Sequence, residues 1–366
     1  MTTVAVVGGG IIGLSLALEL RRGGAEVTLL DRSEPGQQAS VAAGGLLAPQ
    51  LEATEPGPFL DACLRSRAMY PRWVAQLEAE TGERASYLES GILHAAFDEA
   101  ELHAAEAWGA WQQAVGLRAP LLSAAEARAL CPTLSPKILG ALHLPDDHQV
   151  DPQRLVPLLV QCCQKAGVTL LRAEARGIAE RAGRAIGVDV IGARVTADQV
   201  VVAAGPWSGL LEGAPVGPAL AAPVRGQLIE LRPETPIGPQ VLGCPSVYVI
   251  PREDGRVLAG STKEHVGFDT TPQAYNTEAL LAAARRVCPA LEGAPVQRTW
   301  AALRPWARDA MPVLGPGPLE GLWLSTAHFR NGILLAPLSA RLMSDAILTG
   351  AQDPLLRRFR YERLCS

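Results

Sequence analysis

The sequence predicts an α/β protein in which a discontinuous first domain wraps around an inserted second domain. Three observations predict it: a glycine-rich β-α-β unit in the first 31 residues, a fully apolar strand near residue 200, and a strand-turn-helix near residue 330. The length of 366 residues suits two domains of roughly 150 residues or a little more. Hydrophobic residues at 48% and charged residues at 19% allow a large core and exclude global disorder. The 33 Lys and Arg against 37 Asp and Glu leave a net charge of −4, which argues against nucleic acid as a partner.

Val4-Ala5-Val6-Val7 is an apolar, β-branched run, as in a strand buried on both faces. It leads into Gly8-Gly9-Gly10-Ile11-Ile12-Gly13, and the helical spacing of Ile12, Leu16 and Leu20 continues to Gly23-Gly24. A second strand over 26–30 ends at Asp31. This is GxGxxG in its β-α-β setting, a Rossmann-like dinucleotide site. Gly8 permits the turn, Gly10 lets backbone approach a pyrophosphate, and Gly13 lets helix and strand pack closely. The helix start offers free N–H groups to that pyrophosphate, and Asp31 is placed for ribose hydroxyls. A 2′-phosphate is disfavoured by Asp31, an argument softened by Arg32. The motif leaves the choice between NAD and FAD open.

The run Ala39 to Pro49 is dense in small residues, either a surface for a flat ligand or a compact turn. A loop and an amphipathic helix follow over 55–82. Strands are expected near 86–97, 137–145, 223–232, 246–251, 256–261 and 294–303, with helices near 99–115, 123–130 and 152–165. The chain returns to the first domain at 199–208, a buried strand ending in small residues, and again at 322–327, where a strand runs through His328-Phe329-Arg330-Asn331-Gly332 into a helix.

Seven scattered cysteines (Cys63, Cys131, Cys162, Cys163, Cys244, Cys288, Cys365) show no CxxC spacing, so neither a disulfide framework nor a metal site is expected. The uncharged stretch 4–18 lacks a basic flank, and no other run has 18 uninterrupted apolar residues. The expectation is a soluble, cytoplasmic chain without a membrane span.

Gly8 to Gly13 with Asp31, Ser40 to Pro49, Val201 to Ser208, Leu303-Arg304-Pro305 and Ala327 to Pro337 together resemble the D-amino-acid-oxidase-like FAD family. Gly260 to Asp269 and His328 to Pro337 resemble its glycine oxidases of the thiamine-pathway type. The resemblance covers essentially the whole chain. It implies an FAD-binding domain of residues 1–85, 146–222 and 310–366, and an α+β substrate-binding domain of 86–145 and 223–309 on a large, mostly antiparallel sheet. It also implies a homo-oligomer, commonly a tetramer.

The reaction implied is oxidation of glycine, sarcosine, D-alanine or D-proline by hydride transfer to flavin and reoxidation by oxygen, with supply of imine for thiamine thiazole synthesis. Such chemistry needs no dedicated general base, so carboxylate binders are sought. Arg304 is the first candidate, its guanidinium fork matching a carboxylate, with a structural salt bridge as the alternative. Arg330 is the second, against helix-entry packing. Tyr248 offers a pocket hydroxyl or is a core tyrosine. Lys263 stands where an apolar residue over the pocket is expected, and either faces solvent or narrows the pocket.

The cofactor residues implied are Gly8, Gly10, Ile11, Ile12, Gly13, Asp31, Arg32, Ala39, Ser40, Ala43, Gly44, Gly45, Leu46, Arg176, Ala204, Gly205, Trp207, His328, Arg330, Asn331, Gly332, Ile333 and Leu334. With no cysteine in the Arg330 turn or beside Gly44, FAD is expected to be non-covalent. Two other readings stand beside this one: a flavin dehydrogenase passing electrons to another acceptor, and a flavin-binding subunit without catalysis.

Overall fold

The computed structural model describes residues 1–365. The run of apolar residues at 3–7 becomes the strand Thr3–Val7, which pairs in parallel with Glu26–Asp31 on one side and Gln199–Val202 on the other. Leu322–Thr326 and Thr169–Arg172 extend this sheet in parallel, and Val313–Pro316 closes one edge antiparallel. Val4, Ala5, Val6, Val200, Val201 and Val202 are at most 1% exposed, because helices and a second layer cover both faces. The helix Ile11–Arg22 packs on Gly332–Thr349 and on Pro152–Ala166. Gly332–Thr349 has the length and mean hydropathy of a membrane span, yet most of it is buried between Ile11–Arg22 and Pro58–Thr81.

The second large sheet has eight strands in the order Val296–Trp306, Ala222–Leu231, Val257–Gly260, Val247–Pro251, Val241–Cys244, Ile92–Ala96, Gly140–Leu144 and Leu121–Ser123. All neighbours are antiparallel except Val241–Cys244 with Ile92–Ala96. A small sheet of Leu46–Leu47, His148–Val150 and Tyr87–Leu88 lies between the two.

Among the elements that carry no sequence expectation, two lie on the two large sheets. One is the antiparallel meander Ala175–Arg181, Arg184–Val190 and Ala193–Thr196. Its first turn places Ala182 and Gly183 at φ 52° and 79°, the paired left-handed conformation of a two-residue hairpin. The other is the helix Ala274–Val287, which packs on the long strand Ala222–Leu231.

Candidate active site

The C-terminal ends of the parallel strands open into a cavity of about 640 Å³ that reaches across to the second sheet. This is where an open parallel sheet places its ligands, at the point where strand order reverses.

Gly8 sits at φ 112° directly after the first strand, and a methyl there would strike the backbone of Ala203 and Ala204. A methyl on Gly13 would strike the Gly8 carbonyl, so this glycine permits the close helix–strand contact. Asp31 accepts hydrogen bonds from Gly9 N–H at 2.7 Å and from Ser33 N–H at 2.8 Å, and its side chain faces the cavity. Ser40 Oγ accepts from Ile11 N–H at 2.8 Å, taking one of the free donors at the helix start. The small-residue run is tied to the second sheet: Trp300 Nε1 donates to Ala42 O at 2.9 Å, and Arg252 Nη2 to Gly44 O at 2.5 Å. Arg32 stacks on Trp207 at 4.0 Å, and Trp207 meets Phe268 at 5.7 Å.

Arg304 lies on the strand Val296–Trp306 opposite Val224. Nη1 donates to Thr262 O at 2.9 Å and Arg225 O at 3.5 Å, and Nη2 to Ser261 Oγ at 2.5 Å. A guanidinium has five N–H donors. Among the described residues, the Nε–H and one Nη2–H therefore have no protein acceptor. Burial, with Arg330 nearby, brings its pKa down to about 10, so it stays charged at neutral pH. A methyl on Gly226 would overlap that guanidinium, so the strand interior is hollowed there.

Arg330, on the turn before Gly332–Thr349, donates from Nη2 to Glu52 Oε1 at 2.8 Å and to Tyr248 Oη at 3.3 Å. Although burial opposes it, Glu52 and Tyr248 hold the Arg330 pKa above its ordinary value. Burial raises the Tyr248 phenol, against the pull of Arg330. The cavity wall thus carries Arg304, Arg330 and Glu52 together, two cations and one anion.

His328 is buried, its Nε2 3.0 Å from Ser339 Oγ, and burial lowers its pKa to about 3, so it is neutral. Ala327 and Phe329 flank it at φ 56° and 48°, an uncommon left-handed conformation for such residues. The helix starting at Gly332 has no side-chain cap from Asn331, and Gly332 and Ile333 line the cavity. Ser325 Oγ is buried, faces the cavity and has no hydrogen-bond partner.

The cavity wall brings together all but three of the residues that sequence reasoning nominated: Arg304, Arg330 and Tyr248 with the glycine loop, Ala39 to Leu46, Arg176, Ala204, Gly205, Trp207 and 328–333. Lys263 and Leu334 are corrections, whereas Gly13 has the packing task expected of it and touches no ligand space. Lys263 is exposed and outside the lining, its ammonium 5.5 Å from the Phe329 ring, because the chain leaves the strand at Gly260 and turns outward. Gly13 and Leu334 lie one helical turn or less behind the wall, in the core.

Glu52, Gly226, Ser261 and Ser325 were not nominated. An isolated glycine inside a strand pattern was the available signal for Gly226. Nothing local marked Ser325.

The lining fits FAD on its own terms. Gly10 has only Ser40 Oγ near its missing side chain, Ser325 offers an orphaned hydroxyl, and a helix start faces the cavity. None of the seven cysteines lines it among the described residues.

Comparison with known proteins agrees with this geometry. The profile of the family described as FAD dependent oxidoreductase matches residues 3–346. The bifunctional protein ThiO/ThiG of Synechocystis is 39% identical over 98% of this chain and 54% of its own length, so the chain spans about half of that relative. Glycine oxidase of Pseudomonas putida is 36% identical over 95% of each chain. The crystal structure of glycine oxidase from Bacillus cereus superposes with a TM-score of 0.91 at 30% identity, covering 98% of this chain and 100% of that one.

Proposed function

The chain belongs to the DAO family of FAD dependent oxidoreductases, and from that premise we propose that it oxidises glycine or a similarly small amino acid to the imine. The imine would hydrolyse to glyoxylate and ammonia, with oxygen reduced to hydrogen peroxide. The observation that carries this is the half-buried Arg304, with two N–H groups to spare, in one cavity with the GxGxxG loop.

The glycine loop, the 39–46 run and the Gly332 helix start would hold FAD, which when bound would supply an acceptor for the hydride of the substrate carbon. The residues of this chain do the rest. Arg304 binds the carboxylate through its free fork, which fixes the α-carbon and saves orientation entropy in the reacting complex. Tyr248 and Arg330 close the second side, with Glu52 balancing the Arg330 charge. Leu228, Ile250 and Ala302 line the wall as apolar groups and exclude water. Loss of the substrate's ammonium proton to solvent completes the requirement, and no residue has to act as general base.

Relatives at 34–39% identity carry this portion and a second one in a single chain under the name ThiO/ThiG. We infer that the imine made here feeds a thiazole-forming step. Seven unpaired cysteines, six of them buried, support a reducing compartment. The testing experiment is oxygen uptake with glycine, sarcosine, D-alanine and D-proline, with peroxide and the matching product (glyoxylate, pyruvate or the cyclic imine) measured together. Absence of oxygen uptake and of both products with every amine would remove the proposal.

A further inference from the structure

We propose that Asp147 is a positioning residue for substrate binding: it locks the short helix Pro49–Glu52 and so holds Glu52 against Arg330 at the cavity wall. This inference rests on the reading of the cavity as the amino-acid site.

Pro49–Glu52 is one helical turn, and Ala48 gives it no side-chain cap. Its orientation must therefore come from outside. Asp147 is fully buried and takes two of the free donors of that turn, Gln50 N–H on Oδ1 at 3.2 Å and Leu51 N–H on Oδ2 at 3.0 Å. Arg67 on the helix Pro58–Thr81 donates to Asp147 Oδ1 at 3.3 Å and reaches Gln50 Oε1 at 3.4 Å. Gln50 is clamped from the other side: its Nε2 donates to Gln112 Oε1 at 2.8 Å and to Arg118 O at 2.9 Å, and its carbonyl accepts from Gln112 Nε2 at 2.9 Å.

Gln50, Gln112 and Asp147 are all fully buried, and every bond of this network is made between groups of this chain. The next residue after the two donors, separated by Leu51 alone from Gln50, is Glu52. Its Oε1 receives both Nε and Nη2 of Arg330, at 3.1 and 2.8 Å. The path from Asp147 to the guanidinium is therefore one turn of locked backbone and one ion pair. If that turn loosens, Glu52 releases Arg330, and Arg330 loses its place beside Tyr248.

The test uses the flavin-loaded protein and two readouts, KM and kcat for glycine and the calorimetric Kd of glycolate, a carboxylate of glycine's size with no amine to oxidise. Asp147→Asn raises KM and the glycolate Kd together by roughly fivefold and leaves kcat within about twofold. In a Glu52→Gln background the same substitution changes the glycolate Kd by less than about twofold, because Asp147 acts through Glu52. Gln50→Met, which cuts the clamp from the Gln112 side, shows the same pattern and serves if Asp147→Asn does not fold. An unchanged Kd in both variants, or an equal loss in the Glu52→Gln background, overturns the proposal. If no amine is oxidised by the unsubstituted protein, the reading of its function fails, and glycolate binding still decides the lock.

Discussion

Gly226 and Arg304 occupy one volume on neighbouring strands: the guanidinium lies where any side chain at 226 would stand. The carboxylate site is therefore made by a missing side chain as much as by a present one. Gly226→Ala displaces the fork without removing its charge. Hydrogen bonds to charged groups contribute about 1.5–3 kcal/mol, so KM for the amino acid rises ~10–100-fold at unchanged flavin content. Steady-state kinetics with the visible flavin spectrum check this, and an unaltered KM removes the site from Arg304.

Arg304→Ala removes the fork and its charge together, and KM rises at least ~100-fold, about 2.7 kcal/mol. Arg304→Lys keeps the charge but not the planar pair of donors, and recovers only part of that loss. Full recovery by lysine would show that charge alone is read.

Gly13→Ala pushes the helix Ile11–Arg22 away from the Gly8 carbonyl, which re-aims the whole glycine loop. The expected product is a folded but colourless protein, with flavin content measured after acid precipitation. A fully yellow Gly13→Ala protein would contradict the role given to the loop.

His328 carries a pH signature of known sign. Burial lowers its folded pKa to about 3 from an ordinary value of 6.5, so below pH 6.5 the unfolded chain binds a proton that the folded chain refuses. Its share of stability is present above pH 6.5 and is lost as pH falls toward 3. His94, lowered to about 4 by burial, adds a second contribution of the same sign. His328→Asn therefore flattens the fall in stability between pH 6.5 and 4, read as urea midpoints across pH. An unchanged slope would mean that His328 does not meet solvent on unfolding in that range.

Much of this was legible in the sequence where a local pattern forces a conformation. Gly8, Gly10 and Gly13 after an apolar strand leave one backbone route, and the run of valines at 200–202 belongs to a parallel sheet by burial alone. Arg304 and Arg330 were found because their segments resemble a known family. Glu52 was not, since its role depends on Asp147, 95 residues away, holding its turn in place. For Lys263 the resemblance left solvent and pocket both open, and the end of the strand at Gly260 turns it to solvent. The meander over 175–196 turns at Ala182-Gly183, which is none of the usual hairpin dipeptides, and the helix Ala274–Val287 owes its position to Gln227 and Glu264, which bond to Thr277 and Asn276.

The central claim is that this cavity lets bound flavin oxidise a small amino acid. The most direct measurement is anaerobic mixing of the purified yellow protein with glycine, sarcosine, D-alanine and D-proline in turn, followed by admission of air. Loss of the visible flavin band, its return in air and stoichiometric hydrogen peroxide are the predicted result. A flavin band that neither glycine, sarcosine, D-alanine nor D-proline diminishes would contradict the account.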